Sequence, residues 1–249
     1  MKQAEVTRLE LSSERLRALT QPQKYVFALT GHIFNELILL QKWIHVAPRP
    51  PGTYGPQEDA AVGISMFLLR MLSAKVHEAL NVLNKSSVSE VMHRDYFPHH
   101  PGLKEKWGAA LAQHHEMSWL KRVRDRGAFH YMNSAQLGPH LDEAFAEGAY
   151  CYVGKRYGDM YFHCSEMAVA MPAMREVNAN EPFEGLGQML DDLGGLLSHI
   201  VDCLALGIQA FIDHADLVAS VAPPTRFDAP EFEPSSMHYF FADERLQPN

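Results

Sequence analysis

The chain reads as an all-α protein: an antiparallel helical bundle with a small β-hairpin elaboration and an extended C-terminal tail. Three observations predict this class. Apolar residues recur at intervals of three and four over several long stretches, the spacing of one helix face. Proline-rich segments punctuate those stretches. One glycine-bounded aromatic segment departs from the pattern and has the composition of paired strands.

The elements follow in order. Residues 1–20 carry Val6, Leu9, Leu11, Leu16 and Leu19, which predicts a short helix of mixed face, interrupted at Gln21-Pro22. From Gln23 a strong helix is expected, with Phe27, Ile33, Phe34, Leu37, Ile38, Leu40, Trp43 and Ile44 in phase, ending before Pro48. Residues 49–56 hold four prolines or glycines beyond the first and form a loop. A second long helix is expected from about Glu58 to Asn84, with Met66, Phe67, Leu69, Leu72, Val76, Leu80 and Leu83 inward. The stretch from Ser86 to Gly102 is broken by Pro98 and Pro101, and a third helix runs from Leu103 through Trp107, Leu111, Trp119 and Leu120 towards Arg124.

After Pro139 a shorter helix is expected over Leu141–Ala146. Residues 150–163, with Tyr150, Tyr152, Tyr157, Tyr161 and Phe162 between glycines, predict the hairpin. Pro182 precedes the last helix, Phe183 to about Val218, which is apolar on more than one face, as a central helix is. The organisation is therefore a bundle domain over 1–222 and a proline-rich, acidic and aromatic tail over 223–249, extended and docked on a surface.

Composition narrows the function. The 249 residues, 47% hydrophobic and 21% charged, are enough to bury a large core. Thirty acidic against 22 basic residues give a net charge of −8, a field that repels nucleic acid at long range and counts against a general nucleic-acid binder. The three cysteines, Cys151, Cys164 and Cys203, lack metal or redox spacing and read as buried thiols of a reducing cytoplasm. The first twenty residues lack the apolar core of a signal peptide, and the apolar run Leu196–Ile212 contains His199 and Asp202. The expectation is a soluble cytoplasmic protein without a membrane span.

The most informative segment is Trp119 to Tyr131, where a cationic run, a glycine and a histidine stand at one end of a helix. An arginine holds a phosphate through its fork of donors, and an imidazole moves a proton near neutral pH. Five Arg/His pairs in the chain have four to six residues between them: Arg70/His77, Arg94/His99, Arg94/His100, Arg124/His130 and Arg156/His163. With 13 arginines and 14 histidines, random placement gives roughly two such pairs, so context decides. Pro98 interrupts the Arg94 pairs, Arg156/His163 lies in the hairpin, and Arg70/His77 sits mid-helix among apolar residues. Only Arg124/His130 joins a polar follower, Asp125, to a helix-end setting without proline.

That segment, Arg124-Asp125-Arg126-Gly127-Ala128-Phe129-His130-Tyr131, resembles the HEPN superfamily, whose signature is an arginine, a polar residue and a histidine after a gap of four to six. The resemblance covers roughly residues 23–215 and takes in the long flanking helices; the hairpin and tail fall outside the minimal pattern. It implies a HEPN-like bundle, a homodimer with the motif at its interface, and a metal-independent endoribonuclease of toxin or phage-defence type. Catalytic roles then fall to Arg124, His130 and Asp125. Lys121, Arg122, Arg126 and Tyr131 become substrate-binding residues. No cofactor and no metal are expected, and the partners are RNA, a second copy, and an antitoxin or other protein. Some toxin members place a tyrosine two residues after the histidine; here Tyr131 follows His130 directly and Met132 stands at that position.

Geometry constrains the pairing. Six positions along a helix separate two side chains by about 120° and roughly 9 Å of rise, so either Gly127 loosens the helix or a second copy brings two such faces together. Metal motifs fail in detail. His115-Glu116 lacks the second histidine of HExxH, His77-Glu78 is followed by Asn81 at that position, and only one Glu-x-x-His, Glu90/His93, occurs. Two other readings remain: a non-catalytic HEPN-like module whose hairpin and tail dock a protein, and a metal-dependent bundle enzyme using some of the 14 histidines.

Overall fold

The structure is a computed structural model, and it describes residues 5–46, 55–125, 132–154, 160–219 and 225–228. It is an all-α helical bundle: among the described residues the ordered backbone is helical apart from one short strand pair, one 3-10 turn and isolated bridges. The elements are β1 (Glu5–Arg8), α1 (Ser13–Ala18), α2 (Gln21–Val46), α3 (Pro56–Leu83), α4 (Ser86–Asp95), a 3-10 turn (Phe97–His99), α5 (Leu103–Glu116), α6 (Ser118–Val123), α7 (Ser134–Gly148), α8 (His163–Val177), α9 (Pro182–His214) and β2 (Thr225–Asp228).

The chain divides into two compact units. The first comprises Met1–Ile38, Glu78–Gln113 and Ser198–Pro234; the second comprises Leu39–His77, His114–Leu197 and Ser235–Asn249. In the first, Val26, Leu37, Leu80, Leu83, Leu103, Trp107, Leu204 and Phe211 are buried. Tyr96 stacks on Phe211 with ring centroids 4.7 Å apart, and Gly207 leaves room beside the Tyr96 ring. Burying a ring of that size contributes about 2–3 kcal/mol through the water it releases. In the second unit the core is rich in methionine: Met66, Met167, Met171, Met174 and Met189 are buried with Leu69, Leu72, Trp119, Leu120 and Leu196. Unbranched thioethers fill the irregular gaps that small residues of α8 leave.

Several expectations change. The helix predicted over residues 1–20 is a strand followed by a six-residue helix: β1 pairs antiparallel with β2, Glu5 opposite Asp228 and Arg8 opposite Thr225. Ser12 caps α1 by accepting from Arg15 N, and its own N–H donates to Leu217 O. Arg15 also bridges to Asp216, so the N-terminal segment is held by the residues after α9 rather than by a helical repeat. The single helix from Leu103 to Arg124 breaks at Met117, which is buried with ψ of 64°, giving α5 and α6.

The helix expected after Pro139 starts earlier, at Ser134. Asn133 and Gln136 form a reciprocal capping box, each side chain bonded to the other's backbone N–H, and this end signal outweighs Pro139 inside the second turn. The hairpin reduces, among the described residues, to one antiparallel bridge between Tyr152 and Tyr161, and His163 opens α8 instead of closing a strand. Helix α8 itself was not expected; Pro172 and its alanine-rich face hide the period. Of the tail, residues 225–228 are an extended strand as anticipated, and residues 229–249 lie outside the described residues.

Helices α3 and α9 are long and apolar enough to cross a membrane by length and composition alone, a test that core helices also pass; their apolar windows are 61% and 44% buried within the chain.

Two glycines of α9 give opposite tests of this packing. A Cβ at Gly185 would press into the carbonyl of Met174 and sit 3.3 Å from Asn178 N, whereas one at Gly187 meets nothing within 4 Å. Gly185→Ala should lower stability by about 1–3 kcal/mol and Gly187→Ala should raise it by up to about 1 kcal/mol, read by thermal denaturation.

Candidate functional site

The predicted site begins on α6, a six-residue helix whose buried face is Trp119, Leu120 and Val123. That burial turns the intervening residues outward. Lys121 is exposed. Arg122 forms an ion pair with Glu176 and donates to Ser118 Oγ at 3.0 Å. Arg124 Nη1 donates to Asp125 Oδ1 at 2.6 Å, with the two side chains 35% and 40% exposed. The Arg124 hydrogen bond, opposed by burial and aided by the charges of Arg124, Lys121 and His77, holds the Asp125 carboxyl below its usual range. Arg126, His130 and Tyr131 lie outside the described residues, so of the predicted set Lys121, Arg122, Arg124 and Asp125 are seen together.

Two further histidines meet each other, and one of them, His77, acts on the Asp125 carboxylate. His77 of α3 is 8% exposed, and its Nδ1 lies 3.1 Å from Nε2 of His114 in the last turn of α5. The ring of His115 is 5.7 Å from that of His114. Burial first, then the charges of His77 and His115, lower the His114 pKa, which keeps the imidazole neutral near pH 7 and able to accept a proton. The influence of His77 on Asp125 links this pair to the carboxylate that Arg124 holds. No sequence spacing signals it, because residues 77 and 114 meet only through the packing of α3 and α5. In the sequence His77 appears as the rejected partner of Arg70 and in the failed His77-Glu78 metal motif.

The rival Arg/His pairs go elsewhere. Arg70 Nη2 donates to Glu166 Oε2 at 3.1 Å and is largely buried. Arg94 grips the buried Asp95 with Nε and Nη2 at 2.8 and 2.7 Å, while His99 stacks on His214 at 3.5 Å. That grip dominates the causes that lower the Asp95 carboxyl, with Gln23 and His214 adding to it against burial. His99 and Arg94 therefore do not face each other as a catalytic pair would.

A third polar cluster gathers where the hairpin was expected. Tyr150 and Tyr152 hydroxyls both donate to Asp59 Oδ2, at 2.6 and 2.7 Å, and Tyr161 donates to the Asp59 backbone carbonyl at 3.1 Å. Buried His163 stacks on Tyr150 at 4.6 Å. Burial and the Asp59 carboxylate push the Tyr150 hydroxyl pKa up, so these phenols stay protonated as donors. A Cβ on Gly63 would overlap the Tyr161 hydroxyl, which explains a glycine inside α3. This cluster fastens residues 150–163 to the start of α3.

Beside it runs an open groove of about 1050 Å³ walled by Trp43, Phe67 and Phe162, with Arg70 and Glu166 in its lining. The three aromatic walls are each about half exposed, so Phe67, expected inward on its helix, faces the groove instead of the core. The thiols differ from expectation too: Cys203 is buried, with its pKa pushed up to about 11, but Cys151 is exposed. Among the described residues no three His, Cys, Asp or Glu side chains gather as metal ligands.

Comparisons with family models, curated proteins and solved structures give no match.

The Arg124–Asp125 contact makes a direct prediction. Removing the guanidinium with Arg124→Gln should raise the Asp125 pKa towards an ordinary carboxylate, read by carboxyl-selective NMR titration. An unchanged Asp125 would mean that the ion pair does not form in solution.

Proposed function

We propose that the chain is a HEPN-like, metal-independent endoribonuclease of toxin or defence type, working in the cytoplasm as a homodimer on RNA. The observation that carries this reading is the partly exposed Arg124–Asp125 pair at the end of α6. The guanidinium stabilises charge on a phosphate, and Asp125 fixes its orientation. His130 supplies acid–base chemistry, with Lys121, Arg122, Arg126 and Tyr131 around the substrate. An antitoxin or other protein that masks this face belongs to the same reading.

A second reading, a non-catalytic docking module, is favoured by the aromatic groove of Trp43, Phe67 and Phe162 and by the carboxylates that already neutralise Arg122 and Arg124. Single-stranded RNA incubated in EDTA separates the two. Wild type should cleave, and Arg124→Ala and His130→Ala should each slow cleavage about 100-fold or more while remaining folded. Equal inactivity of all three proteins across varied RNAs would favour the docking module.

A further inference from the structure

We infer that the groove walled by Trp43, Phe67 and Phe162 is a binding site for a small quaternary ammonium cation, held against the ring faces with the Glu166 carboxylate at its edge. The inference goes beyond the ribonuclease reading and does not depend on it.

Three segments of the second unit build the site: Trp43 comes from α2, Phe67 from α3, and Phe162 is the residue that precedes α8. Their exposures are 46%, 53% and 51%. Single exposed aromatics are ordinary. Three of them on one groove of about 1050 Å³ form a concave apolar surface of the size that small molecules fill. A ring face is the negative end of the ring's quadrupole, so aromatic walls attract a cation and offer nothing to an anion.

The polar groups of the lining choose the same sign. Ser165 and Glu166, in the first turn of α8, open onto the groove; Ser165 is exposed and the Glu166 side chain is 36% exposed. Arg70 is withdrawn behind Glu166. Its side chain is only 11% exposed, its Nη2 donates to Glu166 Oε2 at 3.1 Å, and its Nη1 is buried. The ion pair is neutral in sum, yet it is a dipole with its carboxylate end outward. An anion would meet that carboxylate before it reached the guanidinium. The net charge of −8 adds to the preference at long range.

Hydrogen-bond bookkeeping favours a quaternary over a primary ammonium, which brings three donors. The exposed side-chain acceptors in the lining are the Glu166 carboxylate and the Ser165 hydroxyl; Tyr161 is buried, with its hydroxyl donated to the Asp59 carbonyl. A desolvated donor left unmatched is costly, and a trimethylammonium group has none to leave. Its methyl groups bring the charge into contact with the rings.

Trp43 reports on the site directly, because the other two tryptophans, Trp107 and Trp119, are buried. The full-length protein is titrated at constant ionic strength with choline, and with neohexyl alcohol, the same shape with carbon in place of nitrogen, while tryptophan fluorescence is followed. Choline should give a saturable change that is lost in Trp43→Phe, and the alcohol should bind about tenfold more weakly or worse. Phe67→Leu and Phe162→Leu, both at half-exposed positions, should each weaken choline severalfold and leave the alcohol unchanged. Glu166→Gln should weaken choline severalfold as well. Equal binding of alcohol and choline overturns the proposal in favour of a plain apolar groove, and so does the lack of any saturable response to choline. Protein that sediments with phosphatidylcholine vesicles while free choline is silent places the ammonium on a lipid and overturns the free ligand.

Discussion

A hydrogen bond between His77 and His114 ties α3 to the end of α5, and the rest of the candidate site is arranged around that tie. It joins the end of α3's second-unit portion to the last turn of α5, two segments 37 residues apart in the chain. A buried imidazole without a partner costs free energy, so pairing two of them satisfies both while keeping one half-open to solvent. The helix break at Met117 works with it. By ending α5 just after His114 and His115, the break lets α6 bury Trp119, Leu120 and Val123, with Arg124 and Asp125 following directly.

Electrostatics then decide what kind of partner such a site suits. With a net charge of −8, the chain does not draw RNA from a distance, and Arg122 and Arg124 already hold Glu176 and Asp125. Under the proposed ribonuclease reading, a phosphate would have to compete with those carboxylates, and its binding would come from short-range donors rather than from a basic surface. The paired arginines stay in one orientation for that exchange, since a guanidinium fixed by a carboxylate loses less rotamer freedom on binding. The groove of Trp43, Phe67 and Phe162 contrasts with this site: its exposed rings are an apolar surface with an internally neutralised floor.

Much of the fold was legible in the residues. The periods of α2, α3 and α9 are strong because each buries a continuous stripe, and the proline clusters end them where local chemistry requires. What escaped was decided by partners far away in the chain. Residues 5–8 are a strand because residues 225–228 supply the other half of the ladder. Tyr150, Tyr152 and Tyr161 have strand-like composition, yet their hydroxyls converge on Asp59, a carboxylate some ninety positions earlier. The candidate site divides the same way. The Arg124–Asp125 pair is local and readable, whereas His77 and His114 meet only through tertiary packing, and no spacing rule reaches across that distance.

The proposed ribonuclease activity joins an arginine-held phosphate to imidazole proton transfer, and the ends of a cleaved RNA would record that chemistry. Mass spectrometry of the fragments formed in EDTA should find 2′,3′-cyclic phosphates opposite 5′-hydroxyls. Fragments ending in 3′-hydroxyl and 5′-phosphate would contradict it, because no 2′-oxygen would then have attacked.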